Sequence, residues 1–310
     1  MTLPLEISAD DRVFVLTGAG ISAESGLATF RDSDGLWAGH AIEDVCTPEA
    51  WDRNAELVWQ FYSARREAAA LAVPNAAHIA LAEFEGRLGD RFFLCTQNVD
   101  DLHEKAGSGL ASGRLVHMHG ELFVSRCSEE CGAAPVVDDA LYASLGDVAK
   151  CGCGALLRPH IVWFGETPME MDRIAEEIRR STVMLVVGTS GSVYPAANFV
   201  RLAKGAGART VYVGVEAPLN ASAFSQVVLG KAGVVLPELL ADCKELQEAY
   251  RYRCLRQRAC RYNISHPGDK NRDVGRVGHP EKQILRFAQD DKSALMTTLL
   301  KNGSDSVVRR

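Results

Sequence analysis

The feature that most constrains this chain is a short apolar run that ends on glycine. Arg12-Val13-Phe14-Val15-Leu16-Thr17 leads directly into Gly18-Ala19-Gly20. An unbroken apolar run of this length reads as a strand buried on both faces, and the glycines as a tight turn after it. Similar runs stand at Phe92 to Thr96, Val183 to Val187 and Thr210 to Val215, with helix-like stretches such as Ala76 to Leu88 and Asp172 to Arg180 between them. Strands alternating with helices predict an α/β fold, a Rossmann-like doubly wound parallel sheet. Two stretches interrupt the alternation. Residues 32–75 are helix-rich and hold Trp37, Trp51, Trp59, Phe61 and Tyr62, while residues 121–158 carry four cysteines around a loop-like middle. Both read as insertions forming a smaller module beside the sheet.

Charge narrows the partners. The 310 residues carry a net −6, but residues 241–310 hold 15 Lys/Arg against 9 Asp/Glu, so the first 240 residues stand at −12. An acidic body argues against duplex nucleic acid and suits basic, lysine-bearing segments. Met1 to Asp10 contains Glu6 and Asp10 and lacks the pattern of a signal peptide; Ser181 to Val200, the longest uncharged stretch, is broken by Gly188, Gly191 and Pro195 and reads as strand and loop rather than a membrane span. Nine cysteines without an export signal imply a reducing compartment, hence a cytoplasmic protein. Cys46, Cys95, Cys243, Cys254 and Cys260 are scattered and read as ordinary thiols.

Three local patterns carry chemistry. Gly18-Ala19-Gly20-Ile21-Ser22-Ala23 fits G-x-G-x-x-[G/A], in which glycines let the backbone approach a pyrophosphate at a helix N-terminus. A dehydrogenase would follow this with a second strand ending in an acidic residue, and Ala28 to Trp37 is no such strand. Cys127-x3-Cys131 and Cys151-x-Cys153 form a four-thiolate set that would saturate a tetrahedral zinc and leave no open position, so the metal would be structural. The spacings depart from the usual x2 pairs, and no metal or partial ligation stay as alternatives. His119, just after an apolar stretch, is the candidate base; His117 takes a structural role.

The segment GAGISAESGLATFRDSDGLW, residues 18–37, resembles the nucleotide-binding signature of the sirtuins. TQNVDDLH at 96–103, HGEL at 119–122, RPHIVWFGE at 158–166 and GTSGSVYPAA at 188–197 follow in the family's order, over roughly residues 10–240. The resemblance implies a deacylase domain at 1–240 that consumes NAD and holds one structural zinc, and within the family it points to the bacterial desuccinylase and demalonylase class. It implies that NAD meets Gly18, Ala19, Gly20, Ser22, Ala23, Thr29, Phe30, Arg31 and Trp37 of the first loop, and Gln97, Asn98 and Asp100 at the nicotinamide end. Gly188, Thr189, Ser190, Gly214, Val215, Glu216 and Ala232 fall at the adenosine end. His119 matches the catalytic His-Gly pair and would activate the ribose hydroxyl after the acyl oxygen has displaced nicotinamide. The products are free lysine, nicotinamide and acyl-ADP-ribose.

Tyr62-x-x-Arg65, on one helical face, resembles the pair that binds succinyl and malonyl carboxylates in that class. Val162, Phe164, Gly165, Glu166, Val193 and Tyr194 resemble the two edges between which an acyl-lysine peptide adds as a strand. Ala28 stands where the family usually has proline, and Gly214-Val215-Glu216 where relatives commonly have Asn-Leu-Glu, which puts a side-chain contact to adenosine in doubt. Residues 241–310, rich in arginine, read as a poorly ordered basic tail. The expectation is a monomeric enzyme acting on acyl-lysine proteins. Three other readings stay open: a hydride-transferring dehydrogenase, an ADP-ribosyltransferase or NAD hydrolase on the same fold, and a non-catalytic NAD-sensing module.

Overall fold

A computed structural model describes residues 5–29, 36–37 (backbone only), 40–110 and 112–241. The expectations for Phe30, Arg31, the Trp37 side chain and residues 242–310 lie outside these. Among the described residues the centre is a six-stranded, all-parallel sheet. Its strands are β1 (Val13–Thr17), β4 (Phe92–Thr96), β5 (Leu115–His117), β9 (Val183–Val187), β10 (Arg209–Gly214) and β11 (Gln226–Leu229). They lie in the order β11-β10-β9-β1-β4-β5. The chain therefore builds outward from β1 in one direction and later returns to β1's other side with β9. The boundary between β1 and β9 is the topological switch point, where ligands of open α/β sheets bind.

The period of two along each strand sends neighbours to opposite faces. Val13 and Val15 join one buried cluster with Leu94 and Leu185, covered by α3 (Ala76–Leu88) and α7 (Ala232–Leu239). Phe14 and Leu16 join the other with Phe93 and Val186, covered by α5 (Met171–Arg180) and α6 (Phe199–Gly205). The start of α3 is set locally: Asn75 Oδ1 accepts from Ala77 N–H at 2.9 Å, and His78 Nδ1 returns a bond to the Asn75 N–H at 3.3 Å.

The two interrupting stretches share a third core. A two-stranded hairpin, β2 (Leu36–Trp37) with β3 (His40–Ala41), leads into α1 (Ile42–Val45) and the long α2 (Pro48–Leu71). Thr47 caps α2 through Ala50 N–H at 3.0 Å with Pro48 at the first position, and the helix kinks at Asn54. The cysteine segment is more regular than expected. β6 (Gly120–Cys127), β7 (Val136–Val137) and β8 (Leu157–Ile161) form a three-stranded antiparallel sheet. Trp59, Phe61 and Tyr62 of α2 pack with Leu122, Leu157, Ile161 and Trp163. Arg66, fully buried beside them, donates to the carbonyls of Leu122 and Ala140 at 2.8 and 2.7 Å and to Ser125 Oγ at 3.1 Å. No helix among the described residues is long and apolar enough to cross a membrane.

Candidate active site

The loops at the C-terminal ends of the strands meet at the switch point, and glycines make the meeting possible. A Cβ on Gly18 would stand 2.9 Å from the Gly188 carbonyl oxygen, and one on Gly20 2.8 Å from Gly188 Cα. Gly20 N–H donates to the Gly188 carbonyl at 2.8 Å, and Gly188 holds a φ of +64°. These glycines thus let the loop after β1 lie on the loop after β9. The helix expected after the glycine turn is not there. Two 3₁₀ turns, Ala19–Ile21 and Ala23–Ser25, take its place, so this turn aims no helix dipole at a phosphate. The turn is anchored instead to the start of α7, where Gly233 N–H donates to Glu24 Oε1 at 2.9 Å beside buried Ala232.

Three buried polar side chains gather beneath that turn. Ser22 Oγ donates to Asp100 Oδ2 at 3.0 Å, and Asn98 Nδ2 donates to Ser22 Oγ at 3.1 Å. Asp100 Oδ1 also accepts from Leu102 N–H at 3.2 Å, at the start of α4 (Leu102–Lys105). Burial raises the Asp100 pKa, against the pull of the Leu102 and Ser22 donors. Gln97 lies at the same edge, its backbone N–H bonded to the Thr17 carbonyl at 2.9 Å.

His119 stands half-buried between β5 and β6, with Nδ1 3.1 Å from the Gln97 carbonyl oxygen. A carbonyl only accepts, so the proton sits on Nδ1 and Nε2 keeps its lone pair. Burial holds the pKa of His119 below its usual 6.5, with the Gln97 carbonyl pulling the other way. The glycine after it is forced: Gly120 has a φ of +87°, and a Cβ there would run into the His160 carbonyl of β8. His117 is an internal strut. Burial alone would lower its pKa, but Glu104 Oε1 at 2.6 Å and the Asn98 carbonyl at 2.9 Å from its two nitrogens raise it instead.

Tyr62 and Arg65 come from α2. The Tyr62 hydroxyl is fully buried, donates to Cys46 Sγ at 3.4 Å and accepts from Trp163 Nε1–H at 3.2 Å. The Arg65 guanidinium lies 5.8 Å from the Phe61 ring centre. Burial lowers its pKa, while the Asp100 carboxylate favours the cation. The field of Asp100 ties this helix electrostatically to the Ser22–Asn98–Asp100 group.

Of the two expected substrate edges, Phe164 is 44% and Tyr194 65% exposed, whereas Val162 and Val193 are half-buried. Val162 N–H donates to the His119 carbonyl at 2.9 Å, which ties this edge to the candidate base. Gly165 turns the chain at a φ of +94°. Glu166 faces inward. Its carboxylate accepts from Arg158 at 2.8 and 3.0 Å, from Arg126 at 3.1 Å and from Trp163 N–H at 2.7 Å, so only its backbone is left for a peptide. Arg158 in turn lies 3.4 Å over the Trp163 ring.

At the opposite end, the Thr189 carbonyl accepts from Tyr212 Oη at 3.0 Å, and the Ser190 and Ser192 hydroxyls stand 2.5 Å apart. Gly214 is buried under the Tyr212 hydroxyl, and Val215 and Glu216 are exposed. Thr29 and Ala19 are half-buried and Ala23 is exposed.

The four cysteines converge at one end of β6. All four sulfurs lie within 4.8 Å of one another, with Cys127–Cys153 at 3.6 Å and Cys131–Cys151 at 3.5 Å. Tetrahedral zinc at 2.3 Å from each thiolate needs sulfurs about 3.8 Å apart, so the set fits zinc.

The Sir2 family pattern matches residues 18–195. The chain belongs to the Sir2 family. Its Sir2 region is 49% identical over 242 residues to the NAD-dependent protein deacylase of Shigella flexneri, covering 76% of this chain and 84% of that protein. It is 48% identical over 234 residues to the protein of that name from Caulobacter vibrioides, covering 73% and 94%. Among solved structures, a Sir2 homolog–NAD complex aligns with a TM-score of 0.68 at 36% identity, covering 80% of this chain and 97% of that one. A Sir2–p53 peptide–NAD complex aligns at 0.63 and 26%, covering 74% and 92%. As in those Sir2 structures, a parallel sheet with helices carries the fold.

Sequence reasoning gave no role of their own to Cys46, Arg66 and Arg158, and placed Trp163 only within a substrate edge. All four make contacts set by tertiary packing. The arginine pair 65–66 gives no local sign that one member is an internal staple.

Proposed function

We infer that this Sir2 protein is an NAD-dependent protein deacylase, with NAD as consumed co-substrate and zinc as a structural ion. The observation that carries the site assignment is the convergence, at one switch point, of a buried Ser22–Asn98–Asp100 group with His119, whose Nδ1 is tied to the Gln97 carbonyl. NAD supplies the ribose carbon that the acyl oxygen attacks as nicotinamide leaves, and the neighbouring ribose hydroxyl that finally carries the acyl group. Ser22, Asn98 and Asp100 orient the nicotinamide end, with Asp100 held in place by Ser22 and Leu102. The loops at 18–20 and 188–190 receive the pyrophosphate and adenosine ribose through backbone amides. His119 Nε2 takes the proton of a ribose hydroxyl, and its lowered pKa keeps it unprotonated at neutral pH.

The acyl-lysine peptide lies between the exposed edges at Phe164 and Tyr194. Its acyl group points toward Tyr62 and Arg65, which favour succinyl and malonyl chains through charge-assisted bonds to the terminal carboxylate. The fit of the four sulfurs to zinc supports a reducing, cytoplasmic setting. The enzyme works as a monomer and needs no nucleic acid. Mass spectrometry of NAD products with and without a succinyl-lysine peptide tests the reading. Nicotinamide and succinyl-ADP-ribose should form only with the peptide; NAD consumption without it, or reduced NAD, would overturn the assignment.

A further inference from the structure

A phenol oxygen has one hydrogen to give and two lone pairs to fill. At Tyr62 the fold treats the two ends differently. Trp163 Nε1–H donates to the oxygen at 3.2 Å, and the hydroxyl donates to Cys46 Sγ at 3.4 Å. All three side chains are buried, at 0%, 1% and 4% exposure for Tyr62, Trp163 and Cys46. Both neighbours are fixed. Trp163 is clamped under the Arg158 guanidinium and, through its backbone N–H, to the Glu166 carboxylate. The Cys46 carbonyl accepts from Phe164 N–H at 3.0 Å, which ties it to the proposed peptide edge.

The consequence is a one-way hydroxyl. The indole N–H fills a lone pair and polarises the O–H, so Tyr62 faces its other side as a donor. The acceptor waiting there is sulfur, a weak one. A carboxylate oxygen forms a charge-assisted bond that is shorter and roughly twice as strong as a neutral one.

We propose that Trp163 and Cys46 are positioning residues that set acyl specificity: the indole keeps the Tyr62 hydroxyl a donor, and the thiol is a weak resting acceptor that a dicarboxylic acyl chain replaces. This rests on the reading of Tyr62 and Arg65 as partners of the acyl carboxylate. Acetyl has no terminal oxygen to take the hydrogen and gains nothing from the exchange. Serine at position 46 would hold the hydrogen more firmly and compete with the substrate.

The test measures succinyl- and acetyl-lysine peptide kinetics at saturating NAD for Cys46→Ser, Cys46→Ala and Trp163→Phe, each alone and combined with Tyr62→Phe. Cys46→Ser should lower the succinyl-to-acetyl ratio of kcat/KM about five-fold, through KM rather than kcat, because the bond is made alike in ground and transition states. Cys46→Ala should not lower it. Trp163→Phe, which removes the N–H but keeps a ring under Arg158, should lower the ratio only while Tyr62 is present. The Cys46→Ser effect should vanish in the Tyr62→Phe background. If it persists there, or if Cys46→Ser and Cys46→Ala lower the ratio equally, the inference is overturned while the Tyr62 reading stands. If Tyr62→Phe alone leaves the ratio at its wild-type value, both are overturned.

Discussion

Glu166→Gln is the most informative single change, because sequence and structure give Glu166 different work. As part of the RPHIVWFGE motif it reads as a substrate contact; in the fold its carboxylate lies between Arg158 and Arg126, at side-chain exposures of 18%, 6% and 19%. Glutamine keeps the size but removes the charge, leaving two guanidinium groups facing a neutral amide. Breaking a buried pair costs about 3–5 kcal/mol, and partial exposure brings that to about 2–3 kcal/mol here. For a domain of this size the melting temperature should fall by roughly 4–12 °C. Linkage supplies an internal control. Desolvation would raise the Glu166 pKa, but the Arg158 bonds, the Trp163 N–H and the two cations together hold it below 4.5. A depressed carboxylate contributes stability above its unfolded pKa and loses it as pH falls through the folded value. Wild type and variant should therefore differ at pH 7, with the gap closing as pH falls from the unfolded carboxylate range through the depressed folded value. Thermal unfolding followed by circular dichroism from pH 3.5 to 8 measures this. Unchanged melting at pH 7 with a raised peptide KM would show that the carboxylate serves the substrate after all.

Other outcomes follow from the same geometry. His119→Ala should abolish deacylation while calorimetry still detects NAD binding; near wild-type turnover would remove His119 from its role. The acid limb of wild-type kcat/KM should have its midpoint below 6.5, since His119 acts unprotonated and burial lowers its pKa. Purified protein should hold about one zinc per chain by metal analysis. Cys151→Ser should lower zinc content and melting temperature together, and metal-free protein of unchanged stability would refute the structural role. Arg65→Met should cost succinyl-lysine about 2–3 kcal/mol, roughly 30- to 150-fold in kcat/KM relative to acetyl-lysine; equal losses would assign Arg65 to fold or NAD.

What the sequence made legible follows from the range of the forces involved. Strands such as Val13–Thr17 and Val183–Val187 announce themselves because a strand buried on both faces must be apolar at every position. α3 is legible as the helix-like stretch Ala76 to Leu88, whereas its Asn75 cap shows only in the fold. The glycine turn was legible as a turn but not in its cause. Nothing in GAG says that its neighbour is another glycine loop 168 residues on, or that 3₁₀ turns replace a helix. The antiparallel sheet of the cysteine module was hidden because both residues of β7 are exposed and give no core-facing run. The ion pairs of Glu166 went unseen for the same reason that Arg66 was overlooked: a buried ion pair leaves no periodic trace, only charged letters that a solvated surface would also show.

The placement of His119 joins these separate features into one device. β5 belongs to the main sheet and β6 to the cysteine module, and only Met118 and His119 lie between them. Gly120 lets β6 leave at a positive φ and press against the His160 carbonyl of β8. Val162, the residue after β8, returns a bond to the His119 carbonyl. The eight residues of β6 then run about 23 Å to Cys127. One strand thus carries the candidate base at its start and a zinc thiolate at its end, with β8 paired along it. Zinc has no open position and takes no part in the chemistry, yet it closes the turns that keep β6 and β8 in register. Its loss should therefore reach His119 through strand pairing, and catalysis should fall before the main sheet melts.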